Sequence, residues 1–82
     1  MENRGLTFGE KLVGLTFNPS GDEKVQRVKE LCAELADILE ESKEESFNEG
    51  TFNTLYEKLY NHSVGEILNA QMNIVKVLTL KY

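Results

Sequence analysis

The chain is poor in the residues that small proteins use to hold themselves together. Its 82 residues include one cysteine, one histidine and no tryptophan. A single cysteine cannot form an internal disulfide, and with one histidine the chain cannot supply the ligands of a structural zinc site. A chain this short has a thin core and often gains stability from oligomerisation, a disulfide or a metal. Oligomerisation is the option that this composition leaves.

Basic residues are also scarce, with nine Lys and Arg against 14 Asp and Glu and a formal net charge of −5. This balance argues against general binding to DNA or RNA, which requires a basic surface. No apolar run approaches the length of a membrane span, and no signal peptide opens the chain. We therefore expect a cytoplasmic protein without a nucleic-acid polymer or a membrane as partner.

The single proline, Pro19, separates an N-terminal arm (residues 1–19) from the first long helix. The residue before a proline is displaced from helical geometry, so Asn18-Pro19 ends any structure that precedes it. Ser20 and Glu23 have the spacing of a capping box, which predicts helix one over residues 20–42. Apolar residues at alternating three- and four-residue spacing then predict a packing seam: Val25, Val28, Cys32, Leu35 and Leu39.

A second helical pattern fills residues 51–81, after a connection around Gly50. The triplet Asn-His-Ser at 61–63 is a weak point, because Ser63 and Glu66 repeat the capping-box spacing. Either a new helix starts there or one helix passes through. We predict a single all-α domain, an antiparallel helical hairpin with an N-terminal arm, which assembles into a compact homo-oligomer.

The charges are segregated along the chain. Lys24, Arg27 and Lys29 lie in the first two turns of helix one, where the positive end of the helix macrodipole disfavours cations, so an anion is expected to offset them. In an antiparallel hairpin they gather with Lys76 and Lys81 at one end, while most acids gather at the other end. A basic end that contains a helix N-terminus is a candidate phosphate site. Head-to-tail packing of the two ends, or ordinary solvated charge, is the alternative.

Lys29 is the leading candidate for a ligand contact. It shares a helix face with Val25, Ala33 and Ala36, and the small alanines would let another subunit approach closely. A lysine at the edge of such a face either reaches a ligand held between protomers or extends its ammonium into solvent along an apolar stem.

Two other candidates also have a structural alternative. Phe17, beside Asn18-Pro19, either stacks on a nucleobase or forms a hydrophobic plug under the helix start. Gln71 interrupts the apolar seam of helix two, where it either sets the register or donates a hydrogen bond to a ligand.

Nothing in the sequence indicates catalysis. No pair of acids stands out as a general acid and base, and no nucleophile is accompanied by a base. His62 and Cys32 have no visible partner for catalysis or metal binding. We therefore expect a binding protein that is not an enzyme and has no metal or cofactor.

Two phrases of the sequence resemble the small phage anti-CBASS proteins, which sequester cyclic oligonucleotides. The first phrase, FNPSGDEKVQRVKELCAELADIL at 17–39, has an Asn-Pro-Ser helix start followed by Val25, Lys29 and Ala33. The second phrase, LNAQMNIVKVLTLKY at 68–82, contains Ala-Gln-Met and Val-Lys. Together they cover roughly half of the chain. Asn73 departs from the pattern, since an aromatic residue commonly follows the methionine.

The resemblance implies a helical hairpin that forms a homo-oligomer, a hexamer in the family, and binds cyclic dinucleotides in pockets between subunits. Some members also hold cyclic trinucleotides in a separate site, and neither activity cleaves the ligand. Sequestering the second messenger keeps the CBASS effector of the infected bacterial host inactive, which places the protein in the host cytoplasm.

The resemblance also implies roles for individual residues. Lys29 is implied to contact phosphate, and the Phe17–Ser20 segment is implied to form a wall beside it. Gln71 and Lys76 are further candidates, for the same site or for a second one. The competing hypothesis is a helical adaptor or inhibitor that binds a basic protein through the acidic end.

Overall fold

The computed structural model describes residues 5–80, which contain three helices and no strand. Helix α1 spans Phe8–Val13, α2 spans Glu23–Glu49 and α3 spans Thr54–Leu78. The all-α class predicted from the spacing is confirmed. The first four residues of the predicted arm, Lys81 of the predicted basic end and the final Tyr82 lie outside the described residues. Within residues 5–80, none of the helices combines the length and hydropathy that crossing a bilayer would need.

The predicted arm contains a short helix, α1, that the spacing did not predict. Thr7 is its N-cap: the Thr7 hydroxyl accepts a hydrogen bond from the Glu10 backbone N–H, and the Glu10 carboxylate accepts one from the Thr7 N–H. Gly14 ends the helix in the left-handed conformation, with φ at 66°, which glycine adopts without a steric penalty. The segment 1–19 is therefore not simply an irregular arm.

Small residues let α1 lie close against α2. Gly9, Ala33 and Ala36 are all buried, and a Cβ atom on Gly9 would collide with the Ala33 carbonyl. The Asp37 carboxylate accepts hydrogen bonds from the Gly9 backbone N–H (2.6 Å) and from the Thr7 hydroxyl (2.7 Å). The alanine face that was expected to receive another subunit is thus covered by a helix of the same chain.

Helix α2 begins at a different cap from the predicted one and extends further. Asp22, not Ser20, is the N-cap, and its carboxylate accepts hydrogen bonds from the first backbone N–H groups of the helix. Ser20 instead accepts from the Asp22 N–H and donates to the Asn18 side chain. The acidic run after residue 42 stays helical because it contains no helix-breaking residue, and Gly50, at φ 76°, ends the helix.

Helix α3 passes through 61–63 without a break, so the spacing of Ser63 and Glu66 does not start a new helix. Its N-cap is Asn53, whose side chain accepts a hydrogen bond from the Tyr56 backbone N–H (2.8 Å). The second helix therefore begins three residues later than the predicted residue 51 and ends at Leu78.

The helices form a thin slab with little interior. It measures 50 × 35 × 12 Å, and 12 Å is about the diameter of one helix with its side chains. The radius of gyration is 14.8 Å, against about 12 Å for a compact domain of this length. A buried cluster of Val13, Cys32 and Ala33 makes up the core, and no large side chain in residues 5–80 is fully buried.

Helices α2 and α3 contact each other towards both of their ends. Near the connection, the Tyr60 hydroxyl of α3 donates to the Glu40 carboxylate of α2 (2.7 Å). At the other end, Val25 of α2 and Gln71 of α3 line the same cavity. The start of α2 therefore lies beside the last turns of α3, and the candidate site is located there.

Candidate functional site

A cavity of about 410 Å³ opens between the turn before α2, the first turns of α2 and the last turns of α3. We call it the loop–helix cavity. Its lining includes every candidate residue from the sequence except Lys76: Phe17, Asn18, Pro19, Ser20, Val25, Lys29 and Gln71. Lys76 is exposed in the last turn of α3 and does not line the cavity.

The cavity also contains residues that the sequence analysis did not select: Met72, Val75 and Thr79. Met72 and Val75 were visible as part of the apolar pattern of the second helix. Nothing in that pattern distinguishes a residue that lines a cavity from one that packs against a neighbouring helix. Their side chains give the cavity an apolar wall opposite the turn.

Lys29 is the only charged residue in the part of the cavity lining that residues 5–80 form, and it is 8% exposed. Its ammonium donates hydrogen bonds to the backbone carbonyls of Val13 (3.3 Å), Gly14 (3.0 Å) and Phe17 (2.6 Å). An ammonium has three N–H donors, so these contacts use its full capacity. Lys29 therefore does not extend into solvent. Its hydrogen bonds hold the end of α1 and the following turn against α2.

Two further side chains hold the turn between α1 and α2. The Gln26 amide donates to the Leu15 carbonyl (3.3 Å). The Asn18 amide donates to the Asp22 carbonyl (3.1 Å) and to the Gln26 side-chain oxygen (3.3 Å). The first turns of α2 thus fix the position of one cavity wall.

Gln71 joins α3 to the same turn. Its Nε2 donates to the Val13 carbonyl (3.2 Å), which also accepts from Lys29, while its Oε1 is buried without a hydrogen-bond partner. One of the two N–H donors of Gln71 is therefore engaged within the chain. The polar atom that remains unpaired is an acceptor.

The cations of helix one led us to expect an anion nearby. The chain itself supplies one. The Asp22 carboxylate occupies the N-terminus of α2, where a negative charge is favoured. Arg27 is exposed and forms an ion pair with Glu30 (3.3 Å), and Lys24 is exposed. Of the described residues in the predicted basic end, Lys29 alone lines the cavity.

Phe17 forms an accessible aromatic surface at the cavity. Its side chain is 69% exposed, so it does not act as a plug under the helix start. The Lys29 ammonium lies 5.7 Å from the centroid of the Phe17 ring, within the range of a cation–π contact. An exposed ring of this kind can stack on a planar ligand.

The described lining of the cavity consists mostly of apolar and neutral polar side chains. Among residues 5–80, the cavity lining contains no histidine, cysteine or carboxylate, and no group of three or more His, Cys, Asp or Glu could hold a metal ion. Cys32 lies in the core, where burial raises the pKa of its thiol. What the cavity offers is an aromatic ring, one cation and an apolar wall.

The connection between α2 and α3 carries a separate cluster. Burial, together with the hydrogen bond to Glu40, raises the pKa of Tyr60 to about 12. The Lys43 ammonium lies 4.5 Å from the centroid of the Tyr60 ring, and Phe47 stacks on Phe52 with ring centroids 4.2 Å apart. These contacts hold the two long helices together at this end.

Comparison of the chain with family models, with curated proteins and with solved structures found no match. Its function is therefore inferred from the loop–helix cavity and from the two phrases that resemble the anti-CBASS proteins.

Proposed function

We propose that the protein binds and sequesters cyclic dinucleotides in the loop–helix cavity without cleaving them. One observation carries the proposal: the exposed ring of Phe17, the ammonium of Lys29 and the apolar wall of α3 converge on one cavity. A cyclic dinucleotide presents flat bases and two phosphates close together. Stacking of a base on an aromatic ring contributes about 1–3 kcal/mol, and a nearby cation attracts the phosphates.

The geometry refines the role of Lys29 in this proposal. Its three donors are already bound to carbonyls, so the ammonium attracts a phosphate by its charge while it anchors the turn that carries Phe17. A direct phosphate contact requires one of these carbonyls to be released. Lys29 is in the first instance a positioning residue for the cavity wall.

We propose further that the subunit is a helical hairpin and that it acts as a homo-oligomer, a hexamer as in the family it resembles. In the cytoplasm of an infected bacterial host, such an assembly would withdraw the second messenger from the CBASS effector. Large apolar side chains that remain exposed on all three helices support self-association. Lys76, outside the cavity, is a candidate for a separate site that takes cyclic trinucleotides.

A different surface favours the alternative of a protein-binding adaptor or inhibitor. At the connection, the apolar side chains of Phe47 and Leu55 are exposed in a segment rich in acids that includes Glu45, Glu49 and Glu57. An apolar surface among acidic residues suits a basic partner protein. A protein that works only through this surface would not respond to cyclic dinucleotides.

Thermal unfolding with and without ligand separates the two functions. A cyclic dinucleotide present at about 100 times its dissociation constant stabilises a native state that alone binds it by roughly 2.7 kcal/mol. For a domain of this size that corresponds to a rise in Tm of roughly 10–20 °C. Cyclic di-AMP, cyclic di-GMP and a cyclic trinucleotide should be compared with AMP and GMP at equal concentration. No rise in Tm with any cyclic compound would contradict the proposal.

The fate of the ligand tests the absence of catalysis. We expect that cyclic dinucleotide incubated with the protein and released by denaturation elutes on chromatography as the starting compound alone. A linear product that grows in proportion to the protein concentration would show that the protein is an enzyme and would contradict sequestration.

A further inference from the structure

A shallow valley between α2 and α3 is almost wholly apolar. Its volume is about 360 Å³, and its walls are formed mainly by Val28, Leu31 and Leu35 of α2 and by Ile67, Ala70 and Ile74 of α3. Glu66 is the one charged residue in the lining. The valley shares no lining residue with the loop–helix cavity.

Apolar side chains on the α2 side of the valley are largely exposed. Leu35 is 55% exposed, and Ile38, one turn further along α2, is 60% exposed. With Leu31 they follow the three- and four-residue spacing of a helix face that packs along its length against another helix. Since α1 covers a different face of α2, the one containing Ala33 and Ala36, no element within residues 5–80 covers this ridge.

The whole chain exposes more surface than a compact protein of its mass would. A compact monomer of 9.3 kDa exposes about 5,000 Å², whereas this chain exposes 5992 Å². The excess of about 1,000 Å² exceeds the roughly 800 Å² that each partner buries in a standard protein interface. The chain therefore carries enough uncovered surface for one full interface.

The charge pattern of α2 indicates which partner fits the valley. The start of α2 also carries Glu23 and Glu30, but on the face of Leu31 its charges are Lys24 and Arg27, while Glu45 lies on that face near the end of the helix. An antiparallel pairing of two α2 helices, centred between Leu31 and Ile38, would place the basic start of each beside the acidic end of the other. A parallel pairing would oppose like charges, which is unfavourable.

We propose that a second copy of this chain covers the valley, with its own α2 antiparallel to the first, about a two-fold axis near Leu35. The interface is isologous, since the same ridge of each copy packs into the valley of the other. This inference rests on the self-association in the proposed function and not on nucleotide binding. The tests of this interface contain no nucleotide. The interface can therefore be disproved while nucleotide binding stands, and nucleotide binding can be disproved while the interface stands.

The first test is the mass of the protein by light scattering at micromolar concentration. We expect the parent to show at least twice 9.3 kDa and Leu35→Glu to form a smaller assembly than the parent. The matched control is Leu68→Glu, an exposed leucine of α3 that lies about 160° around the helix from Ala70 at 100° per residue. Circular dichroism should show equal helicity in all three proteins. A monomeric parent, or a Leu35→Glu variant with the parent mass, would overturn the proposal.

The second test locates the axis by cross-linking. A residue beside a two-fold axis meets the same residue of the other copy, so Leu35→Cys in a Cys32→Ser background should form an intermolecular disulfide under mild oxidation. Leu68→Cys in the same background should remain monomeric on a non-reducing gel. Equal cross-linking of the two variants, or none at position 35, would overturn the two-fold arrangement.

Discussion

A buried lysine determines how one wall of the candidate site is held. Burying an ammonium is costly unless its donors are satisfied, and three carbonyls around the turn after α1 satisfy those of Lys29. The same contacts satisfy carbonyls at the end of α1 that have no partner within the helix. The residue thus contributes to stability and to the shape of the cavity at the same time.

Replacing Lys29 by methionine should lower the free energy of unfolding. Lys29→Met keeps the apolar stem but removes three charge-assisted hydrogen bonds, each of a kind that contributes about 1.5–3 kcal/mol. We expect a loss of at least about 2 kcal/mol in urea denaturation. Lys58→Met, at an exposed position of α3, should stay within about 0.5 kcal/mol of the parent. Equal stability of the two variants would show that the Lys29 contacts do not hold the turn.

Tyr60 should make the stability of the protein sensitive to alkaline pH. Burial and the bond to Glu40 raise its pKa from 10.0 to about 12 in the folded chain. Its contribution to stability is therefore fully present below pH 10 and is lost as the pH rises from about 10 to 12. Urea denaturation of the parent and of Tyr60→Phe between pH 8 and pH 12 should show a steeper decline for the parent. Identical pH profiles would contradict the assignment.

At the scale of elements, the docking of α1 depends on one glycine. The Asp37 carboxylate binds the Thr7 hydroxyl and the Gly9 N–H only because the two helix backbones approach closely at Gly9. Helix α1 has six residues and would not be stable in isolation. Its existence therefore depends on contacts with α2.

Gly9→Ala should detach α1 from α2. The new methyl group would collide most severely with the backbone carbonyl of Ala33 and would also crowd the Asp37 carboxylate. Overpacking of this kind typically costs about 1–3 kcal/mol. We expect faster hydrogen exchange across residues 7–14 together with a lower free energy of unfolding. Unchanged exchange in this segment would mean that α1 tolerates a wider separation from α2.

Gly65→Ala is the opposite case and serves as a comparison. Gly65 lies inside α3, and a Cβ atom there would meet nothing within 4 Å. Alanine in a helix interior is more favourable than glycine by roughly 0.5–1 kcal/mol. Urea denaturation should show a stability gain of this size, and a loss would indicate a contact that the single chain does not reveal.

The two long helices could be predicted from the sequence, whereas the short one could not. Periodic apolar positions extend over many turns of α2 and α3, but α1 is too short for a period to emerge. Its signal was local: Thr7 and Glu10 have the capping-box spacing, and Gly14 follows at the end. The same spacing at Ser63 and Glu66 starts no helix. Capping-box spacing alone therefore does not show whether a helix starts at a given residue. Tertiary contacts decide at which of these positions a helix begins.

At the scale of the whole molecule, the residues that line the cavity were easier to predict from the sequence than the hydrogen bonds that they form. The Phe17–Ser20 segment, Val25, Lys29 and Gln71 meet at one cavity, because the start of α2 lies beside the last turns of α3. The anchoring role of Lys29 could not be predicted, because it depends on the positions of the backbone carbonyls in the turn after α1. Lys76 does not line the cavity, and charge patterning alone does not show this.

The most direct test of the account is a calorimetric titration of cyclic dinucleotide into three proteins. Phe17 and Phe47 are both highly exposed phenylalanines (69% and 58%), but only Phe17 lines the loop–helix cavity. Removing a stacking ring costs about 1–3 kcal/mol, which weakens binding roughly 5- to 150-fold. We predict that the parent and Phe47→Ala bind cyclic di-AMP or cyclic di-GMP with equal affinity and that Phe17→Ala binds at least about fivefold more weakly. Equal affinity of all three proteins, or no binding by the parent, would contradict the assignment of the loop–helix cavity as the cyclic dinucleotide site.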